Sequence, residues 1–432
     1  MRLIHARSGT VLAIEDGAVI RARGIPYARA ERFHYPEPVD LADFGDPFVA
    51  DSPAPAAPQF LRGKDDDIRQ SVLMSEDCQN LSVVFPADVE VGEELPVMVY
   101  FHGGSYVVGS GDGARYNPVR FVQDERVIVV TVTFRLGLLG FLGGSKERPA
   151  NLGLLDAREA LRWIKRNISA FGGDSENITI FGQSAGGDLA TQLLLAEGVV
   201  SEGLVHRAIS QSAPLELVNR KQKLAAAMLK KTAKIPADAS VEIFAERGWK
   251  MVMQGPQYDG MYSGMMPFGT LYGHYPLPAP DEVENAWKKV APHVDVLVGA
   301  NLRESAYFVP EAPKYLGSLG KAVVDYLINK GSREMYIEPA QRFVQRHRAA
   351  GGHGVHYLLR VGNPLNHLYS AHCTELGLLF ENDSWEGDEL LAGAYPSERT
   401  TQGKALRAIW AEFARSGEVR VDLAESARIE LG

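Results

Sequence analysis

The chain has 432 residues, 45% of them hydrophobic and 23% charged, a composition that supplies a large globular core and excludes a disordered or fibrous protein. Its formal charge of -9 leaves no basic surplus to neutralise phosphates, which argues against nucleic acid as a partner and for a small uncharged ligand. Neither the N-terminus, Met1 to Ser8, nor any later stretch is apolar for long enough to be a signal peptide or a membrane span, and the 2 cysteines, Cys78 and Cys373, are too few for a disulfide framework. The expectation is a single cytoplasmic α/β domain over residues 1–432, without membrane contact.

In chain order, the Pro/Ala-rich stretch Asp51–Pro58 cannot be helical and reads as a surface excursion. Strands are predicted at Val97–Phe101, Val127–Phe134, Ile178–Phe181, Val205–Ile209, Val294–Val298 and Val355–Val361, each a short run rich in Val, Ile or aromatic residues. Between the second and third of these, Asp156 is placed to cap a helix, with Glu159 closing a capping box. The apolar stripe Ala157, Ala160, Leu161, Ile164, Ile168 and Phe171 follows helical spacing up to Gly172-Gly173. Tyr258–Pro280, rich in Gly, Pro, Tyr and Met, reads as a second surface excursion, and Gln402–Arg415 as a last helix with Leu406, Ile409, Trp410 and Phe413 on one side. Strands alternating with helical patterns predict a mostly parallel sheet covered by helices.

Gly182-Gln-Ser-Ala-Gly186 is a G-x-S-x-G motif between a predicted strand and a helix running through Leu193 to Leu195. In that setting the glycines make room for a tight turn that leaves the Ser184 hydroxyl exposed at the helix N-terminus. A serine hydroxyl is a poor nucleophile without a base, and a tetrahedral intermediate needs donors for its oxyanion. Phe101-His-Gly-Gly-Ser-Tyr106 follows a strand as an oxyanion loop does. Backbone N–H groups of Gly104 and Ser105, with that of Ala185, could converge on the oxyanion.

The order nucleophile, acid, base in such folds puts the base among His347, His353, His356, His367 and His372. His356 falls inside a predicted strand and His347 in a helical pattern, whereas His367 and His372 both follow the strand ending near Val361; spacing does not separate those two. Glu304, in the loop after Val294–Val298, is the candidate acid, ahead of Asp295 inside that strand.

These residues resemble the type B carboxylesterase family, which includes bacterial para-nitrobenzyl esterases and the cholinesterases. The likeness runs through Arg23–Ala28, Ser75–Leu81, Phe101–Gly104, Phe134–Phe141, Asn167–Asp174 and Phe181–Gly187. The resemblance implies an α/β-hydrolase fold and ester hydrolysis through an acyl-enzyme, with a small ester and water as partners and no metal or organic cofactor. Ser370–Leu376 is similar to the family's histidine loop, which selects His372, and Gly299–Glu304 to its acid loop. Gln183, where many relatives carry glutamate, and Tyr106 are then expected in the substrate pocket. The chain looks shortened relative to the family at about Lys221–Pro292 and Gly320–Gly354. Where secreted relatives carry a cysteine that pairs with the one matching Cys78, this chain has Ala57. The same resemblance leaves room for an amidase, carbamate or lactone hydrolase on the same residues, and for a binding protein that has lost catalysis.

Overall fold

The computed structural model describes residues 1–61, 72–90, 92–217, 221–255, 266–311, 313, 315 and 317–432. Its frame is a sheet whose strands are β1 (Arg2–Ala6), β2 (Gly9–Asp16), β3 (Val19–Pro26), β4 (Phe48–Ala50), β5 (Asn80–Pro86), β6 (Leu95–Phe101), β7 (Ile128–Val132), β8 (Gly173–Gln183), β9 (Arg207–Gln211), β10 (Asp295–Asn301), β11 (Gly354–Leu359) and β12 (Ile429–Leu431). They lie in the order β1-β2-β3-β5-β7-β6-β8-β9-β10-β11-β12, with β4 beside β2. From β7 through β11 every neighbouring pair is parallel, and the outer strands β1, β3, β5 and β12 pair antiparallel.

The central strands are apolar on both faces because helices cover both. In β6, Val97, Val99 and Phe101 enter one core with Ile128 and Val130 of β7, while Met98 and Tyr100 enter the other with Val129. The first core is closed by Leu154, Ala157, Leu161 and Ile164 of α2 (Leu152–Asn167) and Leu189 and Leu193 of α3 (Ala185–Leu195). The second is closed by Phe121 and Val122 of α1 (Val119–Glu125) and by Leu406, Ile409, Trp410 and Phe413 of α4 (Pro396–Ser416). Because β6, β8, β10 and β11 run the same way, the loops leaving their C-terminal ends share one edge of the sheet, where open α/β folds bind ligands. No helix among the described residues is long and apolar enough to cross a membrane.

Several sequence expectations are corrected. The helix expected from Asp156 starts at Leu152, and Asp156 is not its cap. Its fully buried carboxylate instead takes the Arg135 guanidinium through Nη2 at 2.7 Å and Nε at 2.8 Å, since a buried guanidinium requires a bidentate partner. Glu159 accepts from Arg162 at 2.7 Å. The helix expected at Gln402 begins at Pro396, because its first turns carry no apolar residue to reveal them and proline suits a helix start. Asp51–Pro58 is only partly a surface excursion: Ala54, Ala56 and Ala57 are buried, and the adjoining Gln59 clamps Gly109 by accepting from its N–H at 2.7 Å. Of Tyr258–Pro280, residues 258–265 lie outside the described residues, while Met266, Phe268, Leu271 and Tyr272 are buried in the core.

Candidate active site

β8 ends at Gln183 and α3 begins at Ala185, so Ser184 alone makes the turn, with φ 56° and ψ -123°. A side chain held there is strained, and the surroundings leave it no alternative. A Cβ on Gly182 would come 2.5 Å from the Gly186 carbonyl, and one on Gly186 would come 2.0 Å from the Phe101 carbonyl oxygen. The turn is anchored on both sides: Ser184 N–H donates to Gln211 at 2.8 Å, and Asp188 N–H donates to the Ser184 carbonyl at 3.0 Å.

β6 runs out at Phe101 into the loop His102–Tyr106. The buried His102 ring stacks on Phe134 at 4.6 Å and donates from Nδ1 to the Gly103 carbonyl at 2.8 Å; burial pushes its pKa down to about 4, so it is neutral. Gly103 lies flat on the Ser184 turn, since a Cβ there would sit 2.8 Å from the Gln183 carbonyl oxygen. Ser105 and Tyr106 follow with φ 55° and 61°. Among the described residues, the N–H groups of Gly104 and Ser105 donate no hydrogen bond, and that of Ala185 is a first-turn group with no intrahelical acceptor.

Opposite this loop, Glu304 opens a short 3-10 turn just past the end of β10. Its fully buried carboxylate accepts the Asn301 N–H at 2.6 Å on Oε1 and His372 Nδ1 at 2.5 Å on Oε2. His372 comes from the loop after β11, and its backbone N–H is also held by the Glu304 carbonyl, at 3.3 Å. With Nδ1–H donated to a carboxylate, Nε2 carries the lone pair. That lone pair faces Gln183, whose Nε2 lies 3.2 Å away, while Cys373 Sγ donates to Gln183 Oε1 at 3.5 Å and so turns the amide N–H toward the imidazole. Ser184 Oγ makes no hydrogen bond among the described residues; such contacts often tighten only with substrate bound.

An open cavity of about 830 Å3 lies over these groups. Gly103, Gly104, Ser105, Gln183, Ser184 and His372 line its floor, and Tyr307, Phe308, Leu368, Trp385 and Leu390 its walls. Tyr106, expected in the pocket, does not line it: its side chain is buried behind the loop. His367 lies on the cavity wall, but its Nε2 is taken by the Val309 carbonyl at 3.0 Å rather than by an acid. Asp295 stands at the opposite end of β10 from Glu304, beside Arg207 at 3.4 Å and His353 at 3.7 Å. His347 is buried against the Val294 carbonyl at 2.9 Å, and His356 lies within β11.

Sequence reasoning missed Glu375. It is fully buried behind Glu304, accepting Asn301 Nδ2 at 2.5 Å and the Ser212 hydroxyl at 3.4 Å. Burial, and then the charge of Glu304, push its carboxyl up to about 7. The available signal was an acid directly before the apolar run Leu376-Gly-Leu-Leu379.

Comparison with known proteins gives a consistent result. The model described as the carboxylesterase family matches residues 8–327. A probable N-octanoylanthranilate hydrolase, AqdA2 of Rhodococcus erythropolis, is 30% identical over 96% of this chain and 93% of its own. The para-nitrobenzyl esterase of Bacillus subtilis (strain 168) is 35% identical over 51% of this chain and 45% of its own. Among solved structures, a thermophilic PNB esterase superposes with a TM-score of 0.77 over 96% of this chain and 91% of its own, at 24% identity.

Proposed function

This chain belongs to the carboxylesterase family and is a carboxylic-ester hydrolase, and from that premise we propose that it cleaves neutral esters through an acyl-enzyme on Ser184. The observation that carries this reading is the meeting, on one cavity, of a serine at a strand-to-helix turn and an imidazole whose Nδ1 is held at 2.5 Å by a buried carboxylate. In this mechanism substrate displaces the Gln183 amide from His372 Nε2. The Ser184 hydroxyl then gives its proton to that nitrogen as its oxygen attacks the ester carbonyl. Glu304 keeps the tautomer and stabilises the imidazolium. The N–H groups of Gly104, Ser105 and Ala185 bind the oxyanion, each such donor being worth about 3 to 4 kcal/mol in the transition state. The imidazolium protonates the leaving alcohol, and a water activated by the same nitrogen hydrolyses the acyl-enzyme.

The cavity favours neutral alcohol groups. The residue before Ser184 is an amide, so the floor lacks the negative charge a carboxylate would place there; on the wall, the Arg115 guanidinium pairs with Asp388 at 2.8 Å and covers the Trp385 ring at 4.7 Å, which disfavours a second cation beside it. A second reading comes from the Rhodococcus relative, whose name denotes cleavage of an N-acyl group. The same residues would cleave such an amide if His372 protonates a nitrogen leaving group.

The test is Ser184→Ala together with fluorophosphonate labelling. Wild type is expected to take up one phosphonate on Ser184, and the variant to take up none and to lose turnover by at least about a thousandfold. Label on another residue, or turnover kept within tenfold, overturns the assignment. Specificity constants for matched para-nitrophenyl esters and para-nitroanilides decide between the ester and amide readings.

A further inference from the structure

Beneath the oxyanion loop, out of contact with the cavity, lies a buried group of ionisable side chains that the mechanism above does not use. We propose that Tyr106, Asp188 and Lys221 are positioning residues that lock the Gly104–Tyr106 loop to the nucleophile helix, holding the oxyanion donors in place. This rests on the reading of Ser184 as nucleophile and of Gly104, Ser105 and Ala185 as oxyanion donors.

The first reason is conformational. Ser105 and Tyr106 are consecutive non-glycine residues in the left-handed region, at φ 55° and 61°. Side chains avoid that region, and two in a row persist only where the surroundings impose it. The Ser105 residue that supplies a candidate donor is thus held in a conformation it would not keep unaided.

The second reason is what imposes it. The Tyr106 side chain is 1% exposed and is held from several sides. Its ring packs on Phe141 at 4.2 Å, its carbonyl accepts the Gly137 N–H at 2.7 Å, and its hydroxyl donates to Asp188 Oδ2 at 2.7 Å. Asp188 is in the first turn of α3, and its own N–H donates to the Ser184 carbonyl at 3.0 Å. The Tyr106–Asp188 bond therefore joins the loop carrying two donors to the turn carrying the nucleophile and the third.

The third reason is charge. A carboxylate 1% exposed needs compensation, and the cation provided is Lys221, itself 2% exposed at the start of the helix Lys221–Thr232. Its Nζ donates to the Phe268 carbonyl at 2.6 Å and stands 5.4 Å over the Tyr106 ring centroid. Space for it is kept by Gly269, where a Cβ would come 2.0 Å from Nζ. Burial raises the Asp188 carboxyl while the Lys221 charge pulls it back down, and burial lowers Lys221 to about 8. Two buried opposite charges brought together around one tyrosine, and absent from the cavity lining, suit a bracing role.

The experiment uses the full chain, with active sites counted by fluorophosphonate titration so that rates refer to competent enzyme. Tyr106→Phe keeps the ring and removes only the bond to Asp188; Lys221→Met removes the cation; Asp188→Asn keeps an oxygen able to accept from Tyr106. Losing alignment of a donor predicts kcat per titrated site roughly 10- to 100-fold lower in Tyr106→Phe and Lys221→Met. KM should stay within about twofold, since the cavity lining is unaltered. The Ki of an alkyl trifluoromethyl ketone, which places an oxyanion in the same position, should rise by the same factor as kcat falls. Asp188→Asn should lie closer to wild type than Tyr106→Phe. A variant affecting stability alone would lower the titre and leave per-site kcat and Ki unchanged. That outcome overturns the proposal, as does a fall in kcat with an unaltered ketone Ki. Wild type that takes up no phosphonate on Ser184 would instead overturn the underlying nucleophile assignment.

Discussion

Glu375→Gln should make the protein less sensitive to pH. In the folded chain, burial and the Glu304 charge raise the Glu375 carboxyl from its ordinary value of 4.5 to about 7. Between those values the folded state holds a proton that the unfolded state has released, so stability falls as pH rises. The contribution is present in full below about pH 4.5 and is lost as pH passes about 7. At 1.36 kcal/mol per unit, the loss amounts to about 3 kcal/mol. Glutamine suits the site because its carbonyl can accept from Asn301 Nδ2, now 2.5 Å from Oε2, while its amide N–H can donate to the Ser212 oxygen, now 3.4 Å from Oε1. Urea unfolding of both proteins at pH 5 and pH 8, followed by tryptophan fluorescence, measures the difference. The variant should gain about 2 to 3 kcal/mol on wild type between the two pH values. Parallel pH dependences, or a variant that loses ground at pH 8, would refute the argument that Glu375 is a carboxyl held neutral by its surroundings.

Other expectations are as direct. His372→Ala should lower kcat/KM by at least about a thousandfold, whereas His367→Ala, whose imidazole meets a carbonyl rather than an acid, should stay within tenfold; steady-state kinetics on one para-nitrophenyl ester ranks them, and the reverse order would move the base to His367. Cys78 and Cys373 are both free, so a thiol reagent should titrate two groups per chain in non-reducing urea, and Cys78, fully buried with its pKa raised by burial, should not react in the native protein. Gln183→Glu should lower the preference for 3,3-dimethylbutyl butyrate over butyrylcholine by roughly tenfold or more, and an unchanged ratio of specificity constants would remove the electrostatic account of that position.

The parts of the site legible in the sequence are those that local sterics dictate. The strand-to-helix turn at Ser184 could be read because a Cβ on Gly186 would sit 2.0 Å from the Phe101 oxygen, leaving that position few residues to choose from. The central strands were visible for a similar reason: β6 is apolar on successive residues because both faces are covered, whereas the strands outside β6 to β11 were not predicted. The choice between His367 and His372 was not local. It depends on the loop after β11 being knitted to the loop after β10, through Arg303 N–H to the Ser370 carbonyl at 2.9 Å and Leu302 N–H to Ser370 Oγ at 3.1 Å. Those bonds place residue 372 opposite Glu304, and spacing carries no trace of them. Only the resemblance to known histidine loops selected it.

Polar side chains were misread in one consistent direction. Asp156 looked like a helix cap and Tyr106 like a pocket wall, and Glu375, though part of the Ser370–Leu376 segment, was given no role. In the fold, Asp156 is committed to Arg135, Tyr106 to Asp188, and Glu375 to Asn301 and Ser212. Each partner is distant in sequence, and each bond is made where water is excluded, so an unpaired group would cost about 1 to 3 kcal/mol or more. Reading a polar residue as solvated or locally bonded is sound for a surface, but it fails where a core must be polar to hold a site in shape. Gln183 shows both sides of this. Its place on the cavity floor followed from adjacency to Ser184, yet its side chain does not wait in solvent for a substrate. It is 1% exposed and donates to His372 Nε2, the lone pair that takes the Ser184 proton in the mechanism proposed above. On the proposed mechanism, a productive substrate must therefore displace an amide hydrogen bond before His372 takes the serine proton.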